Sequence, residues 1–208
     1  IVPLSKYLKY DRTKHHTSYQ NAKFFMLNEY GVIDFKHQET HKSFMDENFF
    51  GPLKIKEKNI FYPNKDKSTS DFSKYDRLIW AEGGIDLAII SVGTNGEIGF
   101  NVPGSSFSGL THSVKLPICT MKSESHCYRL PVEKITKIGI TMGLFTILNC
   151  RQIILIASGD VKSESVSKFL KGEVDHKWPI TALLKHKNVE VFLDSHLVNG
   201  LKKYMKNI

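Results

Sequence analysis

The side chains best placed for chemistry sit in one glycine-spaced loop. An apolar run from Ile85 to Val92 stops at Gly93, and glycine recurs at 96 and 99. Thr94, Asn95 and Glu97 are the polar side chains among these glycines, and Asn101-Val102-Pro103-Gly104-Ser105-Ser106 follows. An apolar run of this length, bounded by glycine, reads as a buried parallel strand. Ligands of open α/β sheets sit beyond the carboxyl ends of such strands, so the loop from Gly93 onward is the expected ligand site.

Other chemistries fit the residues less well. Glycines at 93, 96 and 99 lack the spacing of a dinucleotide fingerprint and its downstream ribose-binding acid, so no nicotinamide cofactor is expected. Ser105, Ser106 and Ser158 lie in no Gly-x-Ser-x-Gly elbow, and no Ser-His-Asp order is evident. The nine histidines form no His-Glu-x-x-His arrangement. His37 and His41 are four apart, but no carboxylate is set to complete a site with them. Neither a metal nor any other cofactor is expected. Cys119, Cys127 and Cys150 show no Cys-x-x-Cys spacing and read as reduced thiols of a cytoplasmic protein.

The elements that must position the loop alternate between strand and helix. Strands are expected at 23–27, 85–92, 153–157 and 189–193. Helices are expected at 40–50, 75–82, 140–149, 161–171 and 195–206, with a polar loop at 62–74. Residues 110–135 show no clear pattern, and 182–184 is an apolar stretch of uncertain type. This alternation predicts a three-layer α/β/α sandwich around a mostly parallel central sheet, Rossmann-like and folded as a single domain over 1–208. A doubly wound domain begins with a strand. Pro3 to Leu8 instead read as the opening turns of a helix, so the first strand and the loop after it are expected to lie outside this chain.

Composition narrows the partners. The net charge of +8 comes mostly from dispersed lysines, with short clusters at 54–58 and 202–206 that do not interleave with aromatics. A solvated basic surface is expected, suited to anionic metabolites such as sugar phosphates, and no nucleic-acid partner. No apolar run approaches the roughly 20 residues that span a bilayer, so no membrane partner is expected.

Several segments together resemble the glucosamine-6-phosphate deaminase (isomerase) family, within the fold group of the 6-phosphogluconolactonases. They are Asn28-Glu29-Tyr30 with Ser43-Phe44-Met45 and Asn48-Phe49-Phe50; Val92-Gly93-Thr94-Asn95-Gly96-Glu97-Ile98-Gly99-Phe100-Asn101-Val102-Pro103; Thr111-His112; Ile140-Thr141-Met142-Gly143; Ser158-Gly159-Asp160-Val161-Lys162; and Gly172 through His186 with Trp178. The resemblance runs over nearly the whole chain from Pro3 onward. It implies a protein that converts an aminosugar phosphate to a ketose phosphate and ammonia, in a family whose members range from monomers to homo-oligomers.

The resemblance also assigns roles, and three of its positions are substituted. The family's proton-shuttling Asp corresponds to Asn28, whose neutral carboxamide cannot serve as that base near pH 7. Its ring-opening His corresponds to Glu97, and the Glu that orients this His corresponds to Val102. Asn95 stands where the family has Asp or Asn. Gly93 and Lys162 fall at substrate-binding positions, and His126 falls near a phosphate-contacting Arg, by spacing back from Ile135-Thr136-Lys137. In an extended segment, Glu29 would point away from the face that carries Asn28. Two functions follow. In one, Glu97 replaces the His, its pKa raised by mostly apolar surroundings, in an enzyme of reduced or altered activity. In the other, the pocket is a non-catalytic sugar-phosphate-binding module, a sensor or subunit partner. A lactonase would still need the absent His and ranks below both.

Overall fold

A computed structural model of the chain describes residues 2–31, 40–63, 71–128 and 130–205, with Tyr128 described by its backbone alone. His37 and most of the loop expected at 62–74 lie outside the described residues.

The apolar run at 85–92 forms strand β4, Leu87–Ser91, at the edge of a parallel sheet in the order β4-β7-β8. Its partners are β7, Gln152–Ala157, and β8, Val189–Leu193, the other two expected apolar strands. Ile90 faces Leu155, and Ile156 faces Phe192 across the ladders. Each strand alternates sides. Ile90 and Val92 are buried on one face with Ile153, Leu155 and Ala157, and they form the main core. Four helices close that face: Tyr75 and Ile79 of α4 (Ser73–Ala81), Leu144 and Ile147 of α6 (Leu144–Leu148), Val166 of α7 (Ser163–Leu170), and Leu197 and Leu201 of α8 (Ser195–Leu201). On the opposite face Leu87, Ile89, Ile156 and Phe192 are exposed.

The chain enters through helix α1, Val2–Lys14, whose Leu4 and Leu8 pack on an aromatic cluster of Phe49, Phe50 and Tyr62. Strand β1, Phe24–Phe25, pairs in parallel with β3, Ile60–Phe61, and β2, Asn28–Tyr30, follows at once. The helix expected at 40–50 is a short α2, His41–Met45, that widens into a π-helical turn, Asp46–Phe50, and ends as α3, Gly51–Leu53. Thr40 caps α2 by accepting from the Ser43 amide at 3.0 Å.

Two expectations change in the middle of the chain. Residues 140–141, expected to open a helix, are the end of a strand. In β6, Ile138–Thr141, β-branched side chains flank Gly139, and a Cβ at 139 would lie 2.4 Å from the Phe100 ring. Only Leu144–Leu148 is helical, after Gly143, where a Cβ would come within 2.0 Å of the Gly109 carbonyl. The unpatterned stretch 110–135 contains strand β5, His112–Lys115, and helix α5, Ile118–Tyr128. Strand β6 pairs antiparallel with both β2 and β5, which makes a second, three-stranded sheet. Asn28 and His112 both face Thr141 in that sheet. Asp76 of α4 ties the two halves together. Fully buried, it accepts from the Thr111 amide at 2.8 Å, the Thr111 hydroxyl at 2.9 Å and the Thr146 hydroxyl.

Candidate active site

The loop after β4 folds back on itself. Val92 bridges Ile98, the Gly93 amide donates to the Glu97 carbonyl at 2.9 Å, and the Gly96 amide donates to the Gly93 carbonyl at 3.0 Å. Gly96 has φ +82, a left-handed conformation that disfavours a side chain. Trp178 packs on that turn, with its ring 2.9 Å from where a Cβ of residue 96 would lie, and the Ile180 amide donates to the Gly96 carbonyl at 2.8 Å. Thus the late Trp178 segment clamps the loop through its backbone.

This turn brings Gly93, Asn95 and Glu97 together. Glu97 lies over Gly93 so closely that a Cβ at 93 would be 2.5 Å from its Cγ and 2.7 Å from Oε1. Its Oε2 accepts from the Thr120 hydroxyl at 2.6 Å and from Asn95 Nδ2 at 3.4 Å. Asn95 Oδ1 also accepts from the Glu97 amide at 3.2 Å. The residue is 8 % exposed. Burial pushes its pKa above the usual carboxylate value; the bonds from Thr120 and Asn95 pull it down, and the nearby Glu124 charge pushes it up. The net shift is upward, which favours a carboxyl that still holds a proton where an exposed one has lost it.

The strand that begins at Asn28 runs beside this loop. A Cβ at Gly99 would lie 2.9 Å from Thr141 Oγ1 and 3.1 Å from Leu27 Cγ, so the loop packs on the residue before Asn28. Thr141, opposite Asn28 in the sheet, also accepts from the Phe100 amide at 3.2 Å. Glu29 is 1 % exposed, and its carboxylate is engaged by backbone. Oε1 accepts from Tyr30 N at 2.9 Å and His41 N at 3.2 Å, and Oε2 from Lys42 N at 2.8 Å. It therefore seats the first turn of α2, and three of its roughly four acceptor sites are taken up by backbone amides.

Lys162 approaches from the sheet side. Its Nζ donates to Ser91 Oγ at 3.2 Å, at the last residue of β4 and two residues before Gly93. Burial lowers its pKa below the usual lysine value. Val102 follows Asn101, which is anchored by Nδ2 bonds to the Ile98 carbonyl at 2.9 Å and the Met142 carbonyl at 2.8 Å. His126 lies on the exposed side of α5, two residues past Glu124, and so shares no helix face with the residues that meet Glu97. Among the described residues, no three His, Cys, Asp or Glu side chains cluster as metal ligands.

Four residues of this neighbourhood stand out only in three dimensions. Cys119 Sγ accepts from Asn95 Nδ2 at 3.5 Å, and Thr120 holds Glu97. Glu124, one turn further along α5, joins His41 at 3.1 Å and the Tyr30 hydroxyl at 2.7 Å. The available signal in the sequence was the i,i+4 spacing of Thr120 and Glu124, which becomes readable only once 118–128 is known to be helical.

Residues 2–193 match the family model described as glucosamine-6-phosphate isomerases/6-phosphogluconolactonase. The glucosamine-6-phosphate deaminase of Mycoplasma mycoides subsp. mycoides is 35% identical over 190 residues, covering 91% of this chain and 77% of that protein. That of Malacoplasma penetrans is 36% identical over 180 residues, covering 84% and 74%. Among solved structures, a monomeric glucosamine-6-phosphate deaminase superposes with a TM-score of 0.88 at 29% identity, covering 95% of this chain and 83% of that one. A 6-phosphogluconolactonase from Thermotoga maritima gives 0.68 at 18% identity, over 92% and 79%, a likeness of fold alone. No helix among the described residues is long and apolar enough to cross a membrane.

Proposed function

The chain belongs to the glucosamine-6-phosphate isomerase/6-phosphogluconolactonase family, and from that premise we propose that it acts on glucosamine 6-phosphate as a deaminase whose ring-opening acid is Glu97. The observation that carries this reading is the placement of that carboxyl. It is buried over Gly93, bonded by Thr120 and Asn95, and biased toward its protonated form. A protonated carboxyl can give its proton to the ring oxygen as the C1–O bond opens and take one back from the C1 hydroxyl. Val102, where the family has the residue orienting a His, is consistent with an acid held by Thr120 instead, because Val can offer no hydrogen bond.

The next step moves a proton from C2 to C1. Asn28 cannot accept it near pH 7, although its amide can hydrogen-bond the enediol-type intermediate. Solvent water must therefore take the C2 proton and return one to C1 in place of the usual carboxylate, and turnover should be low. Lys162, next to Ser91, is the cation assigned to the substrate phosphate. Gly93 leaves room for the folded-back Glu97.

The experiment compares the wild type with Asn28→Asp, assayed for ammonia released from glucosamine 6-phosphate. A restored general base should raise kcat by about 10²-fold or more. Binding of the compound without ammonia release by either protein would overturn the enzyme reading in favour of a sugar-phosphate-binding module.

A further inference from the structure

Neither Glu124 nor His41 has a part in the chemistry above, yet they join the two halves of the site. Glu124 lies four residues after Thr120 on α5, so the two share a face of the helix. Thr120 donates to Glu97 Oε2 at 2.6 Å. Glu124 Oε2 accepts from the Tyr30 hydroxyl at 2.7 Å and pairs with His41 Nε2 at 3.1 Å. Tyr30 is two residues from Asn28, and the His41 amide is held by Glu29. The His41 ring stands edge-on to Tyr30 at 4.9 Å and to Phe100 of the glycine loop at 5.8 Å. The His41 and Glu124 side chains are each 18 % exposed.

We propose that Glu124 is a positioning residue for this site: through His41 and Tyr30 it pins α5 so that Thr120 stays on Glu97, and its carboxylate places a negative charge one helical turn from that contact.

The charges follow from the contacts. Burial pushes the Glu124 carboxyl up, but the His41 bond and charge with the Tyr30 hydroxyl outweigh it, and the net shift is downward. Burial pulls His41 down, and its bond to Glu124 outweighs that, with Glu124 and Glu29 adding charge, so the net shift is upward. Both shifts favour the ionic form of the pair, and its negative member lies on the helix that carries Thr120. The groups facing Glu97 are Asn95 from its own loop and Thr120 and Glu124 from α5. Those facing Glu124 are Tyr30 from β2, His41 from α2, and Cys127 on its own helix. Glu124 thus helps Glu97 keep its proton, and His41 limits how strongly it does so. The relevance of this coupling to turnover rests on the deaminase reading; the coupling itself does not.

The test is a pH titration of the Glu97 carboxyl by NMR in the unliganded protein labelled with carboxyl-¹³C glutamate, the signal being assigned by its loss in Glu97→Gln. Glu124→Gln keeps an acceptor for Tyr30, so Thr120 stays on Glu97 while the charge is removed, and the Glu97 midpoint should move to lower pH. Glu124→Ala also frees α5, and loss of the Thr120 bond should hold the Glu97 midpoint above that of Glu124→Gln. His41→Gln removes the opposing cation, and the midpoint should move to higher pH. Midpoints of Glu124→Gln and His41→Gln that coincide with the wild type, or shifts of the opposite sign, overturn the proposal, since a residue that only packs α5 would not move them. Should Glu124→Gln fail to fold, the sign of the His41→Gln shift decides. Because the readout needs no turnover, a protein that releases no ammonia can still show the coupling, and an active one can lack it.

Discussion

Replacing Gly93 by alanine adds one methyl group at the point where Glu97 folds back. The new Cβ would lie 2.5 Å from Glu97 Cγ, 2.7 Å from its Oε1 and 3.0 Å from Asn95 Oδ1. Gly93 has no positive φ, so its backbone accepts alanine. Taken alone, that change would stabilise the fold by about 0.4–1 kcal/mol through the unfolded chain. Against this, Glu97 must either tolerate overpacking, at about 1–3 kcal/mol, or swing away from Thr120. Swinging away forfeits a hydrogen bond of about 1 kcal/mol with a neutral carboxyl, and about 1.5–3 kcal/mol with an ionised one. The balance is a net loss of about 1–2 kcal/mol, which lowers Tm by about 2–8 °C in a chain of this size. Thermal denaturation followed by circular dichroism measures it, and a thermal shift with glucosamine 6-phosphate reports the ligand site. We expect Gly93→Ala to fold, melt lower and lose the ligand-induced shift. A variant that melts at or above the wild-type temperature, with the ligand shift intact, would refute the placement of Glu97 over Gly93.

Further outcomes follow from other contacts. Asp76→Ala leaves the Thr111 amide and the Thr111 and Thr146 hydroxyls without their buried acceptor, and urea denaturation should show a loss of about 3–5 kcal/mol. Glu124→Gln should cost about 1.5–3 kcal/mol near pH 6. That difference should shrink as pH rises above the ordinary His value of 6.5 through the raised His41 pKa, and again as pH falls below the ordinary Glu value of 4.5 through the lowered Glu124 pKa, as urea melts across pH would record. Glu97 acts in the opposite sense: its raised pKa makes ionisation unfavourable in the folded state, so stability carried by its protonated form is lost as pH rises above 4.5, and Glu97→Gln should flatten that part of the curve. Cys150, buried and pushed up to about 11 by burial, should react with a thiol reagent far more slowly than exposed Cys119 and Cys127, as timed labelling with mass spectrometry would show.

What the sequence made legible was local. The parallel strands at 87–91, 152–157 and 189–193 stand out because each is a short apolar run, and the glycines after β4 mark the turn that gathers Gly93, Asn95 and Glu97. Residues 140–141 belong to a strand and not to the expected helix because a short apolar run has no period that separates the two; pairing of Ile138–Thr141 with β2 and β5 decides the matter. The role of α5 lay further out of reach. Glu124 meets residues 94 and 83 positions away, Tyr30 and His41, and no local spacing encodes such a pairing. The alternation argument for Glu29 did carry weight. Its side chain points to α2, where it accepts from the His41 and Lys42 amides, and it also accepts from the neighbouring Tyr30 amide.

The most direct test of the central claim is ammonia release from glucosamine 6-phosphate by the wild type and by Glu97→Gln, measured side by side across pH. The account predicts slow but measurable release by the wild type and its loss, by about 10²-fold or more, in Glu97→Gln, with the glutamine variant still folded and still binding the substrate. Release by Glu97→Gln at the wild-type rate, or binding by both proteins with no release at any pH, would contradict it.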